Sequence, residues 1–591
     1  MSELKISFWK IFWPSVIASV CLSVIGWIFW LTVLGGVFSQ EPEQKVTTVL
    51  HMKLEGEIAE RSSSSFNSTR FAMDQKIGLA DLLAGFSAAK KDPQVKGIYL
   101  ELGNVNCGYA TAYELRNAIK DFRKSGKFVV AYLAGEVITQ KQYFISSAAS
   151  TVYGFSNSAM EFVGLGAELM FFKKTFDKVG LEMQVVRGSN NDFKSAVEPY
   201  FRENMSDSSK LQVQRYLNSI WGDMCSQIAA ERKISVSTLN WMAEKVAIHR
   251  VDDAVKYHLI DAVKYRDEVE AIVAKKGGLS DFSEMMSFEK YAKERFKLDQ
   301  LLLTDETGAE IAVVVAEGAI TVDGDEMTSQ HICNYFRTIR NDKHIKAVVF
   351  RINSPGGSAL ASEEIWREVS LTAKTKKVIV SMGDVAASGG YYIATPAETI
   401  FAEPTTITGS IGVFGVIPYT GAMLENNFGL TFDRVQTNAH AVLSLNRKMT
   451  EQEFGMVQRE VDQIYDQFKL RVSNGRGLTV QQVGVIARGR VWTGSDALKI
   501  GLVDRIGGLT DAIQYAKKKI GKPKAIVRFF PIVKEDPIEA LLEEFSQKNQ
   551  TRVSLTGAKL PKVVEETVQK LLRLDQMCGI QMRLPYEIQI H

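Results

Sequence analysis

Residues 345–373 read IKAVVFRINSPGGSALASEEIWREVSLTA. The short β-branched run Ala347–Ile352 stops at Asn, Pro and Gly, and the amphipathic stretch Ser362–Ala373 follows. The same grammar recurs along the chain. Runs at Lys96–Leu102, Phe128–Leu133, Ile311–Val315 and Lys377–Met382 are bounded by turn residues, and Tyr113–Phe122 is a second amphipathic stretch. Apolar strands alternating with helices predict a buried, mostly parallel sheet.

Working outward, the unit occurs twice. Leu54–Ile58 resembles Ala316–Ile320, Val95–Leu100 resembles Ile345–Phe350, Tyr143–Ile145 resembles Tyr391–Ile393, and Ala254–Asp261 resembles Ala497–Asp504. The offsets are 262, 250, 248 and 243, shrinking steadily as small deletions would produce. Four matches in one order predict a duplicated domain. Lys275–Glu310 opens with Lys-Lys-Gly-Gly and turns polar, which suits a connector; RSSSSFNSTR (61–70) reads as a loop. Beyond about Gly521 the repeat ends, and 538–548 and 562–574 read as two helices of an extension.

Composition narrows the function. The 591 residues carry 71 Lys and Arg against 68 Asp and Glu, a net charge of +3 with no long single-sign block. No polyanion-binding surface is suggested, so nucleic acid is not an expected partner. Five scattered cysteines without a CxxC pair exclude a disulfide scaffold and a cysteine zinc site. Seven histidines show no metal-ligand spacing, and no phosphate-cradling GxxxxGK[ST] occurs. Neither metal nor cofactor is expected.

Ile11–Gln40 contains no charged side chain, which is long enough for a bilayer span and too long for the core of a cleaved signal peptide. Lys5 and Lys10 precede it and Glu41 and Glu43 follow, so the positive-inside rule predicts a cytoplasmic N-terminus and a body on the far side.

The two copies differ where chemistry would sit. Copy two carries Asn353-Ser354-Pro355-Gly356-Gly357-Ser358 and Ala386-Ala387-Ser388-Gly389-Gly390-Tyr391; copy one has Gly103–Gly108 and Ile138-Thr139-Gln140-Lys141-Gln142-Tyr143 there. Ser388 at a strand-to-helix turn suits a nucleophile. The amide of Gly389, with one from Gly356 or Gly357, could hold an oxyanion. Two ordinary glycine-rich turns would read the same way. His344 and His440 lie outside these motifs with no obvious acidic orienter, so a Ser-His-Asp arrangement has no support. Copy one offers Lys194, in Phe193-Lys194-Ser195-Ala196-Val197-Glu198-Pro199-Tyr200, opposite Leu443 of copy two. A lysine base must be desolvated to about 7–8 from about 10.4. On residue chemistry alone, the reading of Lys194 as a solvated loop lysine, which describes most lysines, stands ahead of a base.

INSPGGS (352–358), SMGDVAASGGYY (381–392), TGSIGVFGV (408–416) and FKSAVEPY (193–200) together resemble the signal peptide peptidase A family, also called protease IV, in its long double-domain form. The resemblance implies an α/β fold of tandem duplicated Clp-protease/crotonase-like domains with an N-terminal transmembrane helix. It implies a Ser-Lys dyad, with Ser388 as nucleophile, Lys194 as general base and Ser410 as the hydroxyl that orients the amine. The expected layout is 1–45 cytoplasmic N-terminus and anchor, 46–275 the repeat supplying the lysine, 276–308 a helical connector, 309–520 the repeat supplying the serine, and 521–591 an extension. The implied partners are peptides, signal-peptide remnants above all, membrane lipid around the N-terminal helix, and further copies in a homotetramer. The implied location is the bacterial inner membrane, single-pass, with the catalytic body extracytoplasmic. The alternative is a catalytically inactive membrane-anchored scaffold that binds peptides. An acyl-CoA enzyme of crotonase type would share the glycine-built oxyanion hole, but no CoA-binding cue accompanies it.

Overall fold

The computed structural model describes residues 48–67, 72–301, 308–324, 327–531 and 579–584. The expected anchor and the two expected helices at 538–548 and 562–574 lie outside the described residues. Among the described residues no helix is long and apolar enough to cross a membrane.

The first sheet runs Ala262–Val263, Thr151–Gly154, Phe128–Leu133, Val95–Asn106, Thr48–Ala59, with Met286–Ser287 paired to the far side of Thr48–Ala59; all these pairs are parallel. The second runs Arg505–Ile506, Thr399–Ala402, Lys377–Ala387, Ala347–Ser354, Ile311–Glu317, Val527–Phe530, and these pairs are again parallel. Strand for strand the order is the same. Ile311–Glu317 and Ala347–Ser354 are buried at nearly every position, as strands covered on both faces must be.

Side-chain anchors repeat with the strands. Tyr143 donates its hydroxyl to Leu259 O at 2.9 Å, and Tyr391 donates to Leu502 O at 2.8 Å. Asp261 accepts Val152 N–H at 2.7 Å, and Asp504 accepts Ile400 N–H at 2.8 Å. The duplication is therefore one of tertiary contacts as well as of sequence.

Three expectations need correction. Met286–Ser287 is the edge strand of the first sheet, and the ring of Phe288 packs 4.9 Å from that of Phe86, so much of the expected connector belongs to copy one. Val527–Phe530, assigned to the extension, is the equivalent edge strand of copy two, in register Ile311↔Val527. Both escaped detection because an edge strand is short and its matched positions share no residue type. The expected loop at 61–70 begins as a strand, Ser63–Asn67, which pairs antiparallel with Ala72–Gly78. Its serines met no apolar alternation, but a hairpin edge needs none.

The copies are joined by buried charge. Arg351 donates Nε to Glu60 at 2.8 Å, Nη2 to Glu114 at 2.6 Å, and Nη1 to Ser381 Oγ and Met382 O at 3.0 Å. Asp384 of copy two accepts from Gly108 and Thr111 backbone N–H and from the Thr111 hydroxyl, at 3.2, 2.8 and 2.6 Å. It thereby caps the N-terminus of copy one's helix Tyr109–Arg123, where Gly108 has no capping side chain of its own.

A third sheet lies across both copies, in the order Met327–Thr328, Ile320–Thr321, Gly356–Ser358, Gly579–Arg583, Phe414–Tyr419, Glu182–Arg187. The pairing of Glu182–Arg187 with Phe414–Tyr419 is antiparallel, in register Arg187↔Phe414. It carries the segment after Arg187 out of copy one and onto copy two.

Candidate active site

Ser388 ends the strand Lys377–Ala387 and opens the helix Gly389–Ala394. Its backbone has φ 55° and ψ −115°, outside the regions L residues favour. A residue held there costs about 1–3 kcal/mol, which the surrounding contacts must impose. Ser388 N donates to Gly409 O and Ser388 O accepts from Tyr392 N, both at 2.8 Å. The buried Tyr391 hydroxyl locks the helix to Leu502. The turn is thus clamped from both sides, with the hydroxyl projecting from it.

Lys194 stands just before the 3-10 turn Ser195–Val197. That loop is bound to copy two: Phe193 N donates to Arg488 O at 3.0 Å. Gln212 donates to Phe193 O at 3.1 Å and Ser195 Oγ at 2.8 Å, and accepts from Val491 N at 3.2 Å. Gly489, at φ +74°, lets the two chains touch, since a Cβ there would stand 2.5 Å from Lys194 Cβ. The apolar wall is Ala196, Val197, Phe414 and Val416.

Lys194 Nζ lies 2.8 Å from Ser388 Oγ, 3.0 Å from Ser410 Oγ and 3.1 Å from Ser410 O. All three residues are 0% exposed. Burial alone drives the Lys194 pKa well below its ordinary value, because no charged neighbour offsets the desolvation. Ser410 also has a positive φ, 48°, and is held by its N–H to Arg490 O at 2.7 Å. Ser388 Oγ also lies 3.5 Å from Gly412 O.

Gly356 has φ +93°, and its N–H donates to Ser354 Oγ at 3.2 Å. A Cβ on Gly356 would fall 2.7 Å from Gly389 N, so the two glycine turns meet at the serine. Every sequence-predicted site residue, Ser388, Lys194, Ser410, Gly389, Gly356 and Gly357, therefore falls in one region. The two histidines do not. His344 lies 3.4 Å from Asp342 and His440 lies 3.1 Å from Glu453, so each has the acidic neighbour expected to be missing. Neither is a hydrogen-bond partner of Ser388. Among the described residues no group of His, Cys, Asp and Glu could hold a metal ion.

Sequence reasoning missed Gln212, Gly412 and Gly489. Gln212 is one polar residue on a long helix, and Gly489 lies in Arg-Gly-Arg; neither carries a local signal. In copy one the equivalent turn is an ordinary capped helix start. Thr139 Oγ1 accepts from Gln142 N at φ −75°, and Gln140 donates to Gly164 O at 2.6 Å.

A buried serine on a strained strand-to-helix turn in a duplicated α/β body is joined by family matches that make the chain a serine peptidase. The family model described as Clp protease matches residues 311–407, and that described as Peptidase family S49 matches residues 121–280 and 370–522. The chain belongs to peptidase family S49, among the protease IV and SppA proteins. It is 32% identical over 519 residues to "Protease 4" of Salmonella typhi, covering 84% of this chain and 82% of that protein. It is 34% identical over 466 residues to "Protease 4" of Haemophilus influenzae, covering 76% and 74%. It is 32% identical over 498 residues to "Serine protease SPPA, chloroplastic" of Arabidopsis thaliana, covering 82% and 71%.

Proposed function

We propose that the chain hydrolyses peptide bonds with Ser388 as nucleophile and Lys194 as general base. The observation that carries this reading is the 2.8 Å approach of a fully buried lysine amine to the serine hydroxyl. A neutral amine has two N–H donors and one lone pair. Ser410 Oγ and Ser410 O occupy the two donors, at 3.0 and 3.1 Å, which leaves the lone pair for the Ser388 hydroxyl. Lys194 takes the Ser388 proton as Oγ attacks the carbonyl carbon. It then gives the proton to the leaving amine, and activates water to release the acyl group. Amides of Gly389 and of the Gly356–Gly357 turn receive the oxyanion. Ser410 orients the amine. Intact Ser388 and Lys194 weigh against an inactive scaffold.

The substrates in this reading are cleaved signal peptides and other apolar peptides. Ile11–Gln40 anchors the chain in the bacterial inner membrane, with the catalytic body on the extracytoplasmic side. Assembly into a homotetramer is supported by apolar side chains exposed on both copies, among them Val163, Met170 and Val179 in one and Phe428, Leu430 and Leu443 in the other. The decisive experiment labels the protein with a fluorophosphonate and assays a fluorogenic apolar peptide, comparing wild type with Ser388→Ala and Lys194→Ala. Labelling at Ser388 and loss of turnover in both variants are expected. Turnover that survives in either variant refutes the dyad.

A further inference from the structure

The strand that ends in Ser388 does not run evenly along its neighbour. Lys377–Ala387 pairs with Ala347–Ser354 in register Ile352↔Met382 and then Ser354↔Ala386, so Asn353 alone faces Gly383, Asp384 and Val385. Three residues against one make a bulge, a device that re-aims side chains beside active sites. Two extra residues leave the alternation of faces unchanged: Met382 and Ala386 both enter the core of copy two, while Ile379 and Ala387 both enter the cluster on the other face. What the bulge alters is the place of Asp384, which it carries out to copy one. Copy two pins the bulge from its own side, with Asn353 Oδ1 accepting Val385 N–H at 3.1 Å and Thr406 Oγ1 donating to Gly383 O at 2.8 Å. From copy one, the N–H and the hydroxyl of the buried Thr111 donate to the Asp384 carboxylate at 2.8 and 2.6 Å, and Gly108 N–H donates at 3.2 Å. A Cβ on Gly108 would collide with that carboxylate, so the approach requires glycine.

Copy one offers the comparison. Its equivalent strand stops at Leu133, Glu136 in the place of Asp384 is exposed, and the turn that follows is unstrained, with Thr139 at φ −75°. In copy two the strand continues past the bulge, is tied to copy one, and delivers Ser388 at φ 55°. Only Val385, Ala386 and Ala387 stand between Asp384 and Ser388. Extended backbone has little slack, so these residues pass a displacement at Asp384 on to the serine hydroxyl. We propose that Asp384 is a positioning residue for peptide hydrolysis: its carboxylate fastens the serine strand to a helix N-terminus of copy one, the copy that delivers Lys194, and so fixes the separation of hydroxyl and amine. A carboxylate suits this task, because it accepts several donors at once and opposes the positive end of the helix dipole. The inference rests on the Ser388–Lys194 reading and extends it by naming a contact that holds the two halves in place.

The test measures turnover of a fluorogenic apolar peptide by full chains: wild type, Asp384→Ala, Thr111→Val, Thr111→Ser and the double variant Asp384→Ala with Thr111→Val. Melting temperatures are taken on the same preparations. In Asp384→Ala kcat should fall at least about thirtyfold with KM within about twofold, since misplacement of a catalytic group by about 1 Å can cost about a hundredfold. The acid limb of the kcat/KM profile should also move to higher pH, because a serine that draws back admits water to Lys194 and lessens its desolvation. A variant that merely folded less well would lose activity and leave that limb in place. Thr111→Val keeps the shape and loses the hydroxyl donor, so kcat should fall part of the way; Thr111→Ser restores the donor and should match wild type. The double variant should be no slower than Asp384→Ala, since both changes break one contact. Asp384→Ala turnover within about threefold of wild type, or a loss with an unmoved acid limb, overturns the inference. If Asp384→Ala does not fold, equal turnover in Thr111→Val and Thr111→Ser overturns it. Ser388→Ala and Lys194→Ala are assayed alongside. If both lose turnover while Asp384→Ala keeps it, the dyad stands and the positioning role falls; if either keeps turnover, the dyad falls first and this role with it.

Discussion

Lys194 Nζ and Ser388 Oγ are 2.8 Å apart although 194 residues separate them in the chain. The antiparallel pairing of Glu182–Arg187 with Phe414–Tyr419 brings them together, by laying the end of copy one across copy two. Gln212 and Gly489 then hold the lysine loop against the serine turn. The duplication can thus be read as a division of labour, in which each copy retains the half that the other has lost.

Ser388→Ala and Lys194→Ala should each lower kcat by at least about a thousandfold, the scale seen when one member of a nucleophile–base unit is removed. Neither should unfold the protein. Lys194→Met should leave stability equal or higher, since it replaces a buried amine with an apolar chain of similar length. Peptide hydrolysis and thermal melting on the same preparations check both halves.

The pH dependence follows from burial of Lys194. Its folded pKa lies well below the unfolded value, so across the interval between them the unfolded chain holds a proton that the folded one lacks. This group's contribution to stability therefore rises with pH through that interval. Catalysis needs the same neutral amine. Hence kcat/KM should climb with pH through the depressed pKa and level off well before about 10.4, where a free lysine titrates. A profile still climbing there would contradict the desolvated base.

Gly489→Ala should damage catalysis more than folding. The new Cβ would meet Lys194 Cβ at 2.5 Å and its backbone N at 2.7 Å, at a φ of +74°. Displacement of a catalytic group by about 1 Å can cost about a hundredfold, and a fall in kcat of that order is expected. Circular dichroism should stay native while kcat falls.

Arg351→Met should be severe, because it strands Glu60 and Glu114 without their cation. Breaking a buried pair in this way costs about 3–5 kcal/mol. Burial holds Glu114 and Glu317 up at about 7, above their unfolded values. Stability from such groups is complete below the unfolded carboxyl range and is lost as pH rises through about 7. Urea unfolding at acidic and at alkaline pH should therefore show the variant's deficit widening on the alkaline side.

Gln140→Ala should leave turnover intact, since copy one has no nucleophile at this turn. The residue is not idle, however: it donates to Gly164 O at 2.6 Å. A loss of about 1 kcal/mol in stability is expected from one buried hydrogen bond. Melting temperature and kcat/KM separate the two effects.

Much was legible without coordinates. Ala347–Ile352 and Lys377–Met382 announce buried parallel strands through unbroken apolar runs, and Tyr391 and Asp504 repeat Tyr143 and Asp261 closely enough to expose the duplication. The asymmetric Ser388 and the glycines around it mark copy two as the chemical half, since those residue types are rare in that order by chance. Lys194 was different. Its own neighbours suit a surface loop as well as a dry pocket, because burial is a property of what folds over a residue, and what folds over this one comes from Phe414, Ser410 and Gly489. Local patterning dictates which strands and turns form, whereas the depressed basicity of an amine depends on contacts between residues hundreds of positions apart, and those exist only once the sheets have assembled.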